Sequence, residues 1–276
     1  MKINDKRIWE KLEDKEDRWR KKRKKKEDYE TVSAVIDLNT AKQIKKLQSM
    51  NIIDQITGTI ASGKESGVFL ALLGSKGLEM VKKSGITSPI AIKIFRTSTL
   101  NFKRMIDYIS GDIRFHKKSK STRKIINLWT DKEYKNLLRC CHANINVPKP
   151  ILVKNNLLLM ELLGVDGTPS PLLKDYPKAF TKEMLDLILI QMERLVLNAN
   201  LIHADLSAYN IIIHHNKPYL IDMSQSVLTS HPRALEFLHR DVENILYAFS
   251  SKGIPVPLEN EVFESLTRDF PDIEIT

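Results

Sequence analysis

Apolar and polar positions along the chain alternate in short runs early on and at helical spacing later. Val68 to Leu73 and Pro89-Ile90-Ala91-Ile92-Lys93-Ile94-Phe95 read as strands, the second interrupted by a single Lys. Apolar runs of this length, bounded by turn residues, suit buried sheet. Leu157-Leu158-Leu159-Met160 is another such run, and Ile211 to Ile213 and Tyr219 to Ile221 flank a polar turn at His214 to Lys217, which predicts a hairpin. Thr181 to Asn200 reads as a helix, with Thr181 as N-cap and Met184, Leu185, Ile188, Met192, Leu195 and Val196 on its apolar face. Helical patterns also cover Lys132 to Leu138 and Pro232 to Ser250, and there is room for a helix around Thr40 to Met50. Pro148, Pro150, Pro169, Pro171 and Pro177 favour short connections around residue 161.

Candidate chemistry concentrates between Ile202 and Val227. Asp205 lies five residues before Asn210, and Asp222 follows the predicted hairpin. Phosphoryl transfer from ATP needs a carboxylate near the acceptor hydroxyl and further oxygen ligands for Mg2+ on the phosphates. The spacing fits the protein-kinase catalytic loop H-R-D-L-x-x-x-N, with His203, Asp205, Leu206 and Asn210 in register and Ala204 in place of the Arg. The competing interpretation is an Asp/Asn-rich turn whose side chains bond their own backbone. Lys93 occupies the position of the kinase V-A-I-K lysine; alone it would sooner be read as snorkelling at a sheet edge, and Asp205, Asn210 and Asp222 reverse that preference. Glu133 is the helix carboxylate expected to orient it, with Asp131 close by and a plain solvent-facing role as the alternative.

Gly58 to Val68 is small and polar, as suits a turn that approaches phosphates through backbone N–H groups. Gly58 and Gly63-Lys64 nearly spell a Walker A loop, but Glu65 stands where the hydroxyl is required, and a strand rather than a helix follows. Against the kinase pattern G-x-G-x-x-G-x-V, anchored on Val68, the glycine positions hold Ala61, Gly63 and Ser66. The apolar run ending at Met160 leads into Glu161-Leu162-Leu163-Gly164, where backbone groups of Glu161 and Leu163 could read an adenine edge, with Met160 behind the base.

These residues resemble the RIO atypical protein kinases. The likeness rests on Ser62-Gly63-Lys64-Glu65, Ile92-Lys93, the HADLSAYN run from His203 to Asn210, Ile221 to Val227 (IDMSQSV), and His231 to Leu238. HADLS with SQSV is similar to the first RIO subfamily; the segment before Gly58 has no room for the winged helix of the second besides a basic tail. No Phe-Gly follows Asp222 and no A-P-E follows later, so the activation segment and peptide-binding subdomains of ordinary kinases have no sequence to form from. The expected fold is α+β and protein-kinase-like, with an antiparallel-sheet small lobe and a mainly helical large lobe. Residues 1–37 form a basic tail, 38–160 the first helix and the ATP-binding lobe, with a flexible basic loop near 96–124, and 161–276 the catalytic lobe.

The resemblance implies Asp205 as catalytic carboxylate, Asn210 and Asp222 as metal ligands, Lys93 on the phosphates with Glu133 behind it, and Ser62, Gly63, Lys64, Glu65 and Val68 over the triphosphate. It implies ATP with Mg2+, or Mn2+ in its place, self-phosphorylation and transfer to a protein Ser, or mainly ATPase action with Asp222 accepting the phosphoryl group. It also implies a part in late maturation of the small ribosomal subunit, with the pre-40S particle and its RNA as partners. Two other classes stay open: small-molecule phosphotransferases of the aminoglycoside and choline type, and a nucleotide-dependent assembly factor with little turnover.

Length and composition agree with a two-lobed enzyme, since 276 residues with 42% hydrophobic positions can bury a sizeable core. No apolar run approaches a membrane span and the first residues are charged, so a cytoplasmic protein without a secretory signal or membrane partner is expected. Adjacent Cys140 and Cys141 suggest reduced thiols rather than a structural bridge or zinc site. The net charge of +10 is uneven: eight of the nine residues Arg18 to Lys26 are basic, and Arg96 to Lys124 holds nine basic against two acidic, leaving −5 for the rest. Such runs are usually solvated, but with Trp19 beside it the first suits RNA phosphates, where counterion release drives contact. The second contains Ser98, Thr99, Ser110, Ser119, Ser121 and Thr122, where relatives carry a self-phosphorylation site on a mobile loop.

Overall fold

Short apolar runs of alternating burial build one sheet near the start of the chain. In the computed structural model, which describes residues 36–97, 105, 108, 109, 111, 112, 114, 121–268 and 270, these runs are β1 (Ile53–Ser62), β2 (Ser66–Leu73), β3 (Ile90–Phe95), β4 (Pro150–Lys154) and β5 (Leu157–Met160). They form a five-stranded antiparallel sheet in the order β1-β2-β3-β5-β4. β2 alternates buried and half-buried positions, whereas all of β3 is buried, as befits a central strand covered on both faces. Lys93 therefore lies mid-sheet, paired with Val68 on one side and Leu158 on the other, which removes the sheet-edge alternative.

Side chains of a strand point alternately to opposite faces, so β3 serves two cores. Ile90, Ile92 and Ile94 pack with Ile44, Leu47, Phe69 and Leu159, beneath helix α1 (Leu38–Ser49). Phe95 faces the other way, into a larger core with Ile126 and Trp129 of helix α3 (Thr122–His142), after a short α2 (Ser75–Val81). Lys93 shares that second face. Asn156 ties α1 to the sheet by donating to Thr40 Oγ1 and to the Phe95 carbonyl, each at 2.9 Å. A single helix, α1, precedes the sheet among the described residues. The basic run 18–26 and Ser98, Thr99, Ser110 and Ser119 lie outside them, while Ser121 is the N-cap residue of α3.

Beyond β5 the chain crosses residues 161–163 into a small hairpin, β6 (Gly164–Val165) with β7 (Thr168–Pro169), and then two single turns at Leu173–Asp175 and Pro177–Ala179. The proline-rich stretch is thus short connections, as expected. Helix α4 (Lys182–Leu197) is capped by Thr181, whose side chain accepts from Met184 N at 3.2 Å, and all six predicted apolar positions are buried. β8 (Leu201–Ile202) leads to the 203–210 loop, then β9 (Ile211–His214) and β10 (Lys217–Leu220); β11 (Val227–Leu228) returns to pair with β8. The β9–β10 turn is tighter than expected: His214 and Lys217 are the last paired rungs, and only His215 and Asn216 turn, at φ of 48° and 57°. Left-handed backbone at both central residues closes a hairpin with matching twist. Helices α5 (Ala234–Ser250) and α6 (Glu259–Thr267) complete the larger lobe.

The 203–210 loop is held from beneath. Asp241, buried on α5, accepts from the backbone N–H groups of Ala204 and Leu206, both at 2.7 Å, and Arg240 donates to the Ala204 carbonyl at 2.5 Å. Ala204 needs that grip, because its φ of 67° is costly for a residue with a Cβ. His203, 1% exposed, bonds the Ile221 carbonyl through Nε2 at 3.0 Å, joining the loop to the strand end before Asp222. Its Nδ1 is buried without a hydrogen-bond partner, so a second proton would put a charge in a dry site.

Burial accordingly pulls the His203 pKa down to about 4 from 6.5, against the raising effects of the Ile221 carbonyl and Asp222. A depressed folded-state pKa gives stability that is present above the unfolded value and is lost as pH falls through the folded one. The fold is therefore expected to lose on the order of 2–3 kcal/mol through this group between pH 6.5 and 4. Urea unfolding across that window should show a shallower pH dependence for His203→Gln than for wild type; parallel curves would contradict the assignment.

Candidate active site

β3 aims Lys93 toward α3, and Glu133 is on the face of α3 that meets it. Lys93 Nζ stands 2.8 Å from Glu133 Oε1 and 2.9 Å from Asp222 Oδ1, with both the Lys93 and Glu133 side chains nearly inaccessible. Asp131 points elsewhere, pairing at 3.5 Å with Lys135 one turn along, so Glu133 is the helix carboxylate that reaches the lysine. Burial disfavours the Lys93 charge, but the two carboxylates outweigh it and raise the ammonium above its ordinary range. Glu133 is pushed up to about 7 by burial, against the pull of Lys93. Asp222 resists burial because Lys93 and a bond from Ser224 Oγ at 2.7 Å hold its carboxyl down at about 2. Its side chain remains 38% exposed, so it is an anion open to the cleft.

Both hydrogen bonds to Asp222 fall on Oδ1, which leaves Oδ2 for a cation. The residue sits just after β10 at φ of 60°, a backbone state that Asp tolerates better than most side chains and that turns the carboxylate back toward the loop. Asn210 spends its Nδ2 on the Asp205 carbonyl at 2.7 Å, so Oδ1 is the atom it can offer a metal. An amide oxygen and a carboxylate oxygen suit a hard cation such as Mg2+, which is commonly held by one or two protein oxygens together with substrate phosphates.

Two groups of predicted residues emerge. Lys93 bonds both Glu133 and Asp222; Asp205 and Asn210 touch each other, and Gln225 joins them by donating from Nε2 to Asp205 Oδ2 at 2.9 Å. The segment 222–226 links the groups. Ser62, Gly63, Lys64 and Glu65 form the end of the β1–β2 hairpin, where Gly63 N donates to the Ser66 carbonyl at 2.9 Å and Arg96 Nη2 donates to Ser62 Oγ at 3.0 Å. Val68 adjoins Lys93 as its strand partner. On the linker the Glu161 N–H is taken by the Lys149 carbonyl and the Leu163 carbonyl by Ser170 N, both at 2.9 Å. That leaves the Glu161 carbonyl and the Leu163 N–H, an acceptor and a donor two residues apart, the pair an adenine edge requires. Met160 pairs with Ala91 at the adjoining end of β3.

Sequence reasoning missed the supports. Lys132, fully buried beside Glu133, donates to the carbonyls of Ser224, at 3.0 Å, and Ser226. Burial pulls its pKa down to about 7. Asn136, one turn on, donates to the carbonyls of Met223 and Ser226 at 2.8 and 3.0 Å and accepts from Arg114 at 3.0 Å. Helix α3 therefore grips the segment that carries Asp222 by its backbone. A helical period places Lys132 and Asn136 four apart on one face with Thr130 and Glu133 nearby, but nothing in the residue types says that the face is dry.

Residues 68–262 match the RIO domain. The chain is 38% identical over 253 residues to serine/threonine-protein kinase RIO1 of Caenorhabditis elegans, covering 90% of this chain and 48% of that protein. It is 39% identical to serine/threonine-protein kinase RIO3 of Mus musculus, covering 88% and 48%, so it spans about half the length of these curated relatives. Against RIO-type serine/threonine-protein kinase Rio1 of Methanocaldococcus jannaschii the identity is 37%, over 85% of this chain and 76% of that one. The crystal structure of the Rio2 kinase from Chaetomium thermophilum superposes with a TM-score of 0.59 at 20% identity, over 82% of this chain and 67% of that one, which shows the two-lobed kinase-like fold. The chain belongs to the RIO family.

Proposed function

We propose that the chain is a Mg2+- and ATP-dependent serine/threonine protein kinase or ATPase of the RIO type. The observation that carries this reading is Lys93 Nζ held between Glu133 and Asp222, 2.8 and 2.9 Å away, beside the Asp205–Asn210 loop. Lys93 is placed to bind phosphate oxygens, with Glu133 fixing its direction; Asp222 and Asn210 would hold Mg2+ through side-chain oxygens. Mg2+ bound there would supply charge neutralisation to the phosphates. Asp205 accepts the proton of the attacking hydroxyl or water as the new phosphorus–oxygen bond forms and ADP departs. Ser62, Gly63, Lys64, Glu65 and Val68 cover the triphosphate, and the Glu161 carbonyl and Leu163 N–H, with Met160 behind, read the adenine.

Asp222 is also the group we assign as phosphoryl acceptor in an ATPase cycle. Its exposed side chain supports this, and one solved relative is described as the Rio2 kinase-ADP/Mg2+-phosphoaspartate complex from Chaetomium thermophilum. The setting we infer is cytoplasmic maturation of the small ribosomal subunit, with the pre-40S particle, its RNA and protein Ser residues, including the chain's own, as partners. The eight basic residues within Arg18 to Lys26 support the RNA contact.

Single-turnover hydrolysis of ATP with Mg2+ tests the site. Asp205→Ala, Asp222→Asn and Lys93→Ala should each slow it by roughly 100-fold or more while remaining folded, since Glu133, already pushed up to about 7, can take a proton when Lys93 is gone. Wild-type activity in Asp222→Asn would remove the metal assignment, and tight nucleotide binding without wild-type turnover would favour an assembly factor. For the tail, deletion of residues 1–26 should weaken binding to small-subunit RNA and flatten its dependence on salt, while ATP turnover persists. An unchanged salt slope would remove the tail from the interface.

A further inference from the structure

Gln225 follows Asp222 by three residues, and no step above uses it. Its amide is split in an uneven way. Nε2 donates to Asp205 Oδ2 at 2.9 Å, whereas Oε1 is buried with no hydrogen-bond partner among the described residues. A buried carbonyl oxygen without a donor is destabilising, a cost that an apolar side chain of the same length would avoid. An amide at this place is therefore poorly explained by packing. It is well explained by the one bond it makes, to the carboxylate that receives the acceptor's proton.

The backbone behind Gln225 is fixed with equal care. The carbonyls on either side, of Ser224 and Ser226, both accept from the fully buried Lys132, and Ser226 also accepts from Asn136 at 3.0 Å. Asn210 holds Asp205 by its main-chain carbonyl at 2.7 Å and approaches Oδ2 at 3.5 Å, whereas Gln225 reaches that oxygen at 2.9 Å. Helix α3, which aims Glu133 at Lys93, thus also sets the orientation of the catalytic carboxylate through one glutamine.

We propose that Gln225 is a positioning residue for phosphoryl transfer, locking Asp205 in the rotamer that meets the acceptor oxygen. This inference rests on the kinase reading above. Loss of the amide should act on the chemical step and leave nucleotide binding alone, because among the described residues Gln225 makes no hydrogen bond to Lys93 or to the linker.

The test compares wild type, Gln225→Met, Gln225→Glu and Asp205→Ala in ATP turnover with Mg2+, together with the Tm of the nucleotide-free chain. Gln225→Met should lower kcat about 10- to 100-fold, the usual loss when a supporting hydrogen bond to a reacting group is removed. KM for ATP should stay within about twofold and Tm should be equal or higher, since an unpartnered carbonyl has been deleted. Gln225→Glu, of the same shape, places an acceptor against Asp205 and should lose at least as much kcat; it carries the comparison if the Met variant folds poorly. Wild-type kcat in both variants, or a fall in Tm with kcat and KM changing together, would overturn the positioning role. Absent wild-type turnover, or full turnover in Asp205→Ala, would instead overturn the kinase reading and this inference with it.

Discussion

The structure depends on one buried ammonium. An isolated charge in a protein interior costs several kcal/mol, so Lys93 is tolerable only while carboxylates neutralise it. It has two, from elements 40 and 129 residues away in the chain. The first, Glu133, is as buried as the lysine and is held there by α3; the second, Asp222, is open to the cleft. This asymmetry suits an ammonium that must keep one partner and share itself with an incoming anion. It also welds the two lobes, since β3, α3 and the strand end before Asp222 meet at a single nitrogen.

The unusual backbone of the site is supported by groups that take no part in the chemistry. Ala204 and Asp222 both have left-handed φ, and each is clamped: Ala204 by Asp241 and Arg240, the Asp222 segment by Lys132 and Asn136. The buried face of α3 thus does three things at once, packing Ile126 and Trp129 into the core, aiming Glu133, and gripping the carbonyls of residues 223–226. A helix so engaged on both sides of Glu133 has little freedom to carry that carboxylate away from Lys93.

Much of this could be read from residue order, and the reason is physical. Lys93 and Glu133 are charged residues embedded in an apolar strand and a helix, where burial demands partners, while Asp205, Asn210 and Asp222 are marked by their spacing in the loops after β8 and β10. The Thr181 cap, the α4 face and the β9–β10 hairpin were legible because their signals are local in sequence. Gln225, Asp241 and Lys132 were not. Each acts on a backbone or side chain 20 to 94 residues distant, and each looks like an ordinary polar residue until packing closes around it. Ser62, Lys64 and Glu65 fall between these cases: the turn they make was foreseen, while the bonds that Ser62 and the Glu65 carbonyl accept from Arg96 are long-range and were not.

The most direct measurement is a crystal structure with a non-hydrolysable ATP analogue and Mn2+, located by its anomalous scattering. The account predicts Mn2+ bonded to Asp222 and Asn210 side-chain oxygens and to the phosphates, with Lys93 still on Glu133 and now reaching a phosphate oxygen. Mn2+ bound away from Asp222, or Lys93 parted from Glu133 with nucleotide in place, would contradict it.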